Sequence, residues 1–171
     1  MPNTPVSSQA FCSYVTGYVD GEGCFSVSFN RRTTLRTGWE VRPSFSVSQN
    51  GDRAEVLHLM MEHFQCGSIR PDRSDKTLKY EVRDIRHLVD VIIPHFRSYP
   101  LLSGKRLDFE RFAAVCALVA RGAHLTVKGF REVADLAMQM NPSGRRKFIA
   151  ADMFDGEVKV IVSASSNGGC A

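Results

Sequence analysis

Two carboxylates, Asp20 and Glu22, stand either side of Gly21 and are followed by Gly23. Ahead of them Ala10, Phe11, Tyr14, Val15 and Tyr18 fall at helical spacing, with Ser7 or Ser8 as the N-cap. The spacing predicts a helix from about Ser8 to Asp20, with both acids at its C-terminal end. A helix C-terminus already carries about half a negative charge. Two more negative charges there are unfavourable unless a cation neutralises them. Thr16 and Gly17 sit mid-helix, where Gly costs roughly 1 kcal/mol against Ala. Close passage of another backbone would account for such small residues. Taken alone, Asp20-Gly21-Glu22-Gly23 is also an ordinary polar turn from helix to strand.

The rest of the composition narrows the classes. With 171 residues the chain is long enough for one domain with a proper core, and its formal charge of +4 favours a nucleic-acid partner without requiring one. The cysteines Cys12, Cys24, Cys66, Cys116 and Cys170 contain no CxxC pair and are odd in number, and so are expected to be reduced core residues of a cytosolic protein rather than disulfides or a zinc site. His58, His63, His87, His95 and His124 show no metal-ligand spacing on one helix face and are expected to be structural or surface residues. No stretch approaches the roughly 20 apolar residues of a membrane span, and no signal-peptide pattern opens the chain.

The elements that must position the acids follow in order. From Cys24 to Arg32 the period becomes two, with Phe25, Val27 and Phe29 on one face and Ser26, Ser28, Asn30 and Arg32 on the other. A second strand from Trp39 to about Gln49 puts Glu40, Arg42, Ser44, Ser46 and Ser48 opposite Trp39, Val41, Phe45 and Val47, with a bend or bulge expected at Pro43. Asp52 and Glu55 suggest a capping box for a helix with Ala54, Leu57, Met60, Met61 and Phe64 inward. A second hairpin pairs Ser68–Asp72 with Thr77–Arg83, giving Arg70, Asp72, Lys79, Glu81 and Arg83 as its polar side chains. Asp84 caps a further helix that Pro94 ends or kinks. Ser103 caps a long helix to about Ala120 with Leu107, Phe112, Val115, Cys116 and Val119 inward, and Thr126 caps a last one. Residues 7–150 are expected to form one domain and 151–171 a mobile tail without assigned function.

The stretch Val15-Thr16-Gly17-Tyr18-Val19-Asp20-Gly21-Glu22-Gly23 resembles the LAGLIDADG motif of homing endonucleases: Gly17, Asp20 and Gly23 match outright, and Glu22 stands where the family usually has its second Asp. Phe45-Ser46-Val47-Ser48-Gln49, Cys66-Gly67-Ser68-Ile69 and Tyr99-Pro100-Leu101 are also similar to single-motif members. The resemblance covers about residues 10–150 and implies an α+β fold: an αββαββα core with an antiparallel DNA-binding sheet saddle and additional C-terminal helices. It implies a site-specific endonuclease that hydrolyses double-stranded DNA as a homodimer on a long pseudo-palindromic target. Hydrolysis of a phosphodiester calls for a divalent metal, Mg²⁺ above all, for which Glu22 and the Gly21 carbonyl supply oxygen ligands. Gln49 would orient the attacking water, and Lys105, assisted by Arg53, would stabilise charge on the phosphate. The DNA-binding residues would be Ser26, Ser28, Asn30, Arg32, Glu40, Arg42, Ser44, Ser46, Arg70, Asp72, Lys79, Glu81 and Arg83. Thr16, Gly17 and Asp20 would lie at the dimer interface, where two motif helices meet.

Two other readings stay open on the sequence. A non-cleaving DNA-binding regulator or an RNA-splicing maturase would use the same scaffold; a small α/β protein with an accidental motif would share only the pattern. The carboxylate retained at Glu22 speaks against a lost nuclease site. Membership of the family implies the cytoplasm of a prokaryote, or an organelle if the chain is organelle-encoded.

Overall fold

The computed structural model describes residues 7–71 and 76–142, together with Met153. The motif helix α1 spans Ser8–Glu22, and the Ser7 hydroxyl caps it by accepting from the Ala10 amide. It leads directly into β1 (Gly23–Arg31), which pairs antiparallel with β2 (Trp39–Asn50). A short 3₁₀ turn (Gly51–Arg53) precedes α2 (Glu55–Phe64); then come β3 (Ser68–Pro71) and β4 (Thr77–Val82). The four strands form one antiparallel sheet in the order β1-β2-β4-β3. A helical run follows through α3 (Ile85–His87), a π-helical turn (Leu88–Ile92) and α4 (Ile93–Ser98). The long helix α5 (Lys105–Ala120) and α6 (Val127–Met138) complete the described fold. This is the expected α+β architecture.

Strict alternation makes the sheet two-sided. Its inner face carries Phe25, Val27, Phe29, Val41, Phe45, Val47, Tyr80 and Val82, all buried. The Phe25 ring lies 5.3 Å from each of the rings of Phe45, Phe96, Phe109 and Phe112, so one residue of β1 joins β2, α4 and α5. Trp39 is buried at the sheet's far corner with the Arg31 guanidinium 4.3 Å above its ring. Thr126 caps α6 through the Gly129 amide, and Asn141 ties the end of that helix back to the Phe25 carbonyl at 2.8 Å.

Several local expectations are corrected. Pro43 makes no bulge: it pairs with Val27 in unbroken register, and β4 begins to pair with β2 only at Phe45, so no ladder bond is lost on the β4 side. Asp52 and Glu55 form no capping box, because the 3₁₀ turn leaves Ala54 at the N-cap of α2. Pro94 does not end its helix; it lies in the first turn of α4, just past a π-helical turn. In α5 it is Phe109 that is buried, while Leu107 is 61% exposed. In α1 the buried seam is Cys12, Val15, Thr16 and Val19; Phe11 and Tyr18 pack partly against the core, and Tyr14 is half exposed. Cys12, Cys66 and Cys116 are buried as expected, but Cys24 is exposed on the polar side of β1. Residues 72–75 lie outside the described residues, and so does the expected tail 151–171 apart from Met153, which is buried in the core.

Candidate nucleic-acid interface and catalytic end of the motif helix

Gly23 joins α1 to β1 with no room for a side chain: a Cβ there would lie 2.8 Å from the Val19 carbonyl oxygen. Its amide closes the helix onto that carbonyl. The strand therefore leaves directly beneath the helix end, and Glu22 is held exposed at the junction. The last helical carbonyls need donors, and Lys105 at the start of α5 provides them. Its Nζ donates to the carbonyls of Val19 at 2.9 Å, Gly23 at 2.6 Å and Gly21 at 3.4 Å. An ammonium at the negative end of the helix dipole is favourable. Burial pushes the Lys105 ammonium below the usual lysine range, against the upward pull of Cys24, Asp20, Glu22 and Asp108.

Asp20 answers from the helix side. Its carboxylate accepts from the amides of Leu102 at 3.1 Å and Ser103 at 3.0 Å, and from the Ser103 hydroxyl. That same hydroxyl accepts from the Lys105 amide at 3.1 Å, so it helps to start α5 as the sequence suggested, although the N-cap position itself is Gly104. Burial alone would raise the Asp20 carboxyl; the Ser103 hydroxyl, the two amides and the Lys105 charge outweigh it and hold the group below its ordinary value of 3.8. Asp20 is thus a staple between α1 and the loop before α5, within one chain.

The neighbours assigned to the same end are partly there. Gln49 lies two residues beyond Val47, the partner of Gly23, and so at the same end of the sheet. Its Nε2 donates to the Tyr18 hydroxyl and its Oε1 accepts from the Asn50 amide at 2.8 Å. Arg53 is exposed on the 3₁₀ turn that follows β2. Of the presumed interface residues, Gly17 has nothing within 4 Å of where a Cβ would stand, so no close contact inside the chain explains it. Thr16 is different: it is buried and bonded to the Tyr99 carbonyl at 3.0 Å and the His95 ring at 3.3 Å. It faces inward, away from the open side of α1, so its assignment to an exposed interface is corrected. That open side consists of Ala10, Ser13, Tyr14, Gly17 and Gly21.

The register brings the polar sheet residues onto one face. Ser26 stands across from Ser44, Ser28 from Arg42 and Asn30 from Glu40. Ser46 and Ser68 flank Glu81, and Ser48 and Arg70 flank Lys79. Arg32 and Arg83 lie just past the ends of β1 and β4, and Asp72 lies outside the described residues. Cys24, opposite Ser46, and Ser68 belong to this face as well; extending the alternation by one residue in each strand finds both.

Two carboxylates on the face each hold two guanidiniums. Glu40 accepts from Arg32 at 3.1 Å and from Arg42 at 2.9 Å. Glu81, only 7% exposed, is gripped by Arg70 and Arg83, both at 3.1 Å. The four arginines remain about half exposed, with donors to spare. Glu40 and Glu81 therefore orient arginines.

The model for the LAGLIDADG endonuclease family matches residues 15–116, from the motif into α5. The chain belongs to this family. A probable intron-encoded endonuclease of Neurospora crassa is 30% identical over 75% of this chain; the chain spans 29% of that relative's length. Among solved structures, the homing endonuclease I-TnaI superposes with a TM-score of 0.75 at 30% identity, covering 87% of this chain and 97% of that one. The LAGLIDADG homing endonuclease I-LtrWI bound to target DNA gives 0.76 at 32% identity, covering 85% of this chain and 47% of that one. This LAGLIDADG chain thus matches I-TnaI nearly whole and I-LtrWI over about half. No helix among the described residues is long and apolar enough to cross a membrane.

The Asp20 staple carries a pH signature. A carboxyl held below 3.8 in the folded chain stabilises it fully above that value, and the contribution is lost as the pH falls through the folded pKa. The gap in urea midpoint between wild type and Asp20→Asn is expected to be constant near neutrality and to narrow below about pH 4. A gap that does not change with acidification would show that the charge on Asp20 takes no part in the staple.

Proposed function

We propose that this chain is a site-specific endonuclease for double-stranded DNA, working as a homodimer with Glu22 as its metal-binding carboxylate. The observation that carries this reading is the exposed Glu22 at the end of a helix whose carbonyls Lys105 already holds, beside an open small-residue face on the same helix. Ala10, Ser13, Gly17 and Gly21 lie at helical spacing on that face and would let a second α1 approach closely. Two copies related by a two-fold axis would bring two Glu22 side chains together, one for each DNA strand, and would require a pseudo-palindromic site.

The donor set suits Mg²⁺. Glu22 and the Gly21 carbonyl offer hard oxygens at exposed positions, and the Gly21 contact is the longest of the three that Lys105 makes. When bound, the cation would polarise the phosphodiester and make hydroxide available near neutral pH. Lys105 would sit beside the phosphate as a fixed positive charge that needs no reorganisation. Gln49 is fixed by Tyr18 and the Asn50 amide, and its Oε1 keeps a second lone pair with which to orient a water.

Recognition would use the polar sheet face. The major groove admits a β-ribbon, arginine suits guanine, asparagine suits adenine, and serine accepts either role. Arginines locked on Glu40 and Glu81 present preformed donors and lose less side-chain freedom on binding.

Two expected outcomes follow, on a target selected from a random DNA library. Glu22→Gln should abolish cleavage while affinity stays within about tenfold, roughly 1.4 kcal/mol; nicking and gel-shift titrations measure both. Cleavage at the wild-type rate would remove Glu22 from the chemistry, and binding without cleavage by the wild type would favour a regulator. Arg70→Ala should weaken binding by about 1–3 kcal/mol and relax preference at one base position. Because Arg70 and Arg83 share Glu81, the double variant should depart from additivity. Titration against single-base variants decides; unchanged affinity and preference would place DNA elsewhere.

A further inference from the structure

On the opposite flank of α1 from its open face, three side chains distant in sequence converge. Cys12 of α1, His63 of α2 and His95 of α4 each offer a ligand atom, and the three atoms lie within 4.8 Å of one another. The Cys12 Sγ is 3.8 Å from the His63 Nε2, and the two imidazole rings are 5.5 Å apart. Cys12 and His95 are buried, while His63 is partly exposed and gives the cluster a way out to solvent. We propose that Cys12, His63 and His95 form a binding site for a borderline-soft divalent cation, Zn²⁺ first, which ties α1 to α2 and α4 and is separate from the carboxylate end of α1.

The donor types select the ion. One thiolate and two imidazoles suit zinc and the neighbouring transition metals, and do not suit Mg²⁺, which seeks oxygen. Tetrahedral coordination at about 2.3 Å to sulfur and about 2.0 Å to nitrogen places ligand atoms roughly 3.5 Å apart. The observed separations, 3.8 Å for Cys12 to His63 and up to 4.8 Å within the cluster, exceed that by up to about 1.3 Å, which side-chain rotation must close. Water can take the fourth position from the His63 side.

The surroundings set up one ligand. The Thr16 hydroxyl gives its hydrogen to the Tyr99 carbonyl at 3.0 Å, so towards His95 it acts as acceptor for the Nε2–H at 3.3 Å. That fixes the tautomer and leaves the lone pair on Nδ1. Ligating histidines commonly hold their other ring N–H in this way. On binding, the Cys12 thiol passes its proton to solvent and the thiolate coordinates the cation.

Cys12 and Glu22 are ten residues apart on one helix, about 15 Å along its axis, so the two sites are distinct. The expected role is a clamp: an ion that binds only the folded arrangement stabilises it in proportion to the logarithm of its concentration over Kd.

The test is metal content of the full chain after gel filtration in chelator-free buffer, with Zn²⁺ and Co²⁺ as probes. One Zn²⁺ per chain is expected, and Co²⁺ should give a thiolate charge-transfer band. Cys12→Ala should remove that band, and His63→Gln, at a partly exposed position, should weaken Zn²⁺ binding by more than about tenfold. Glu22→Gln should keep the ion, which separates this site from the proposed catalytic one. A strong chelator should lower Tm in the wild type and leave it unmoved in His63→Gln. Absence of bound Zn²⁺ from the wild type, or retention undiminished in both ligand variants, would overturn the site.

Discussion

The contact on which the rest depends is the crossed clamp between the end of α1 and the start of α5. Lys105 reaches back to three carbonyls at the helix end, while Asp20 reaches forward to two amides and a hydroxyl ahead of α5. Each charge bonds backbone groups at the end of the other element. The clamp resolves the electrostatic problem posed by the sequence, where Asp20 and Glu22 crowd a helix terminus that is already negative. Asp20 is neutralised by donors within the chain, and Lys105 offsets the dipole. Glu22, left at the surface, is the one of the two free to bind an external cation.

One helix thus serves three directions. Val15 and Val19 face the core, Gly17 and its small neighbours face outward, and Cys12 and Thr16 face the histidines of α2 and α4. The sheet divides its labour in the same way. Its inner face spreads the Phe25 cluster across β1, β2, α4 and α5, and its outer face spends two carboxylates on aiming four arginines. A buried acid such as Glu81 is tolerable because both partners remain in place; losing one would expose the cost of an unpaired buried charge.

What could be read from the sequence was what is local. The period-two alternation placed nearly every residue of the polar face, and the caps at Ser7, Asp84 and Thr126 hold. The αββαββα order came with the motif. Hydrophobicity is a poor guide to burial in α1 and α5. Tyr14 and Leu107 are large and apolar but exposed, whereas Cys12 and Thr16, modest in hydrophobicity, form the buried seam. Non-local pairing lay beyond reach altogether. Only the family resemblance points to Lys105, and nothing local in the sequence marks its three carbonyl partners. Cys12 and His63 lie 51 residues apart, so no spacing rule for adjacent ligands could join them.

The central claim is that Glu22 at the end of α1 performs the chemistry and that two such helices must meet. Mixed dimers test both halves at once. Wild-type and Glu22→Gln chains carrying different affinity tags would be co-expressed, the heterodimer isolated, and its products on the selected target separated on denaturing and native gels. The account predicts a nick in one strand with the duplex left joined. Double-strand breaks at the wild-type rate from the isolated heterodimer would contradict it.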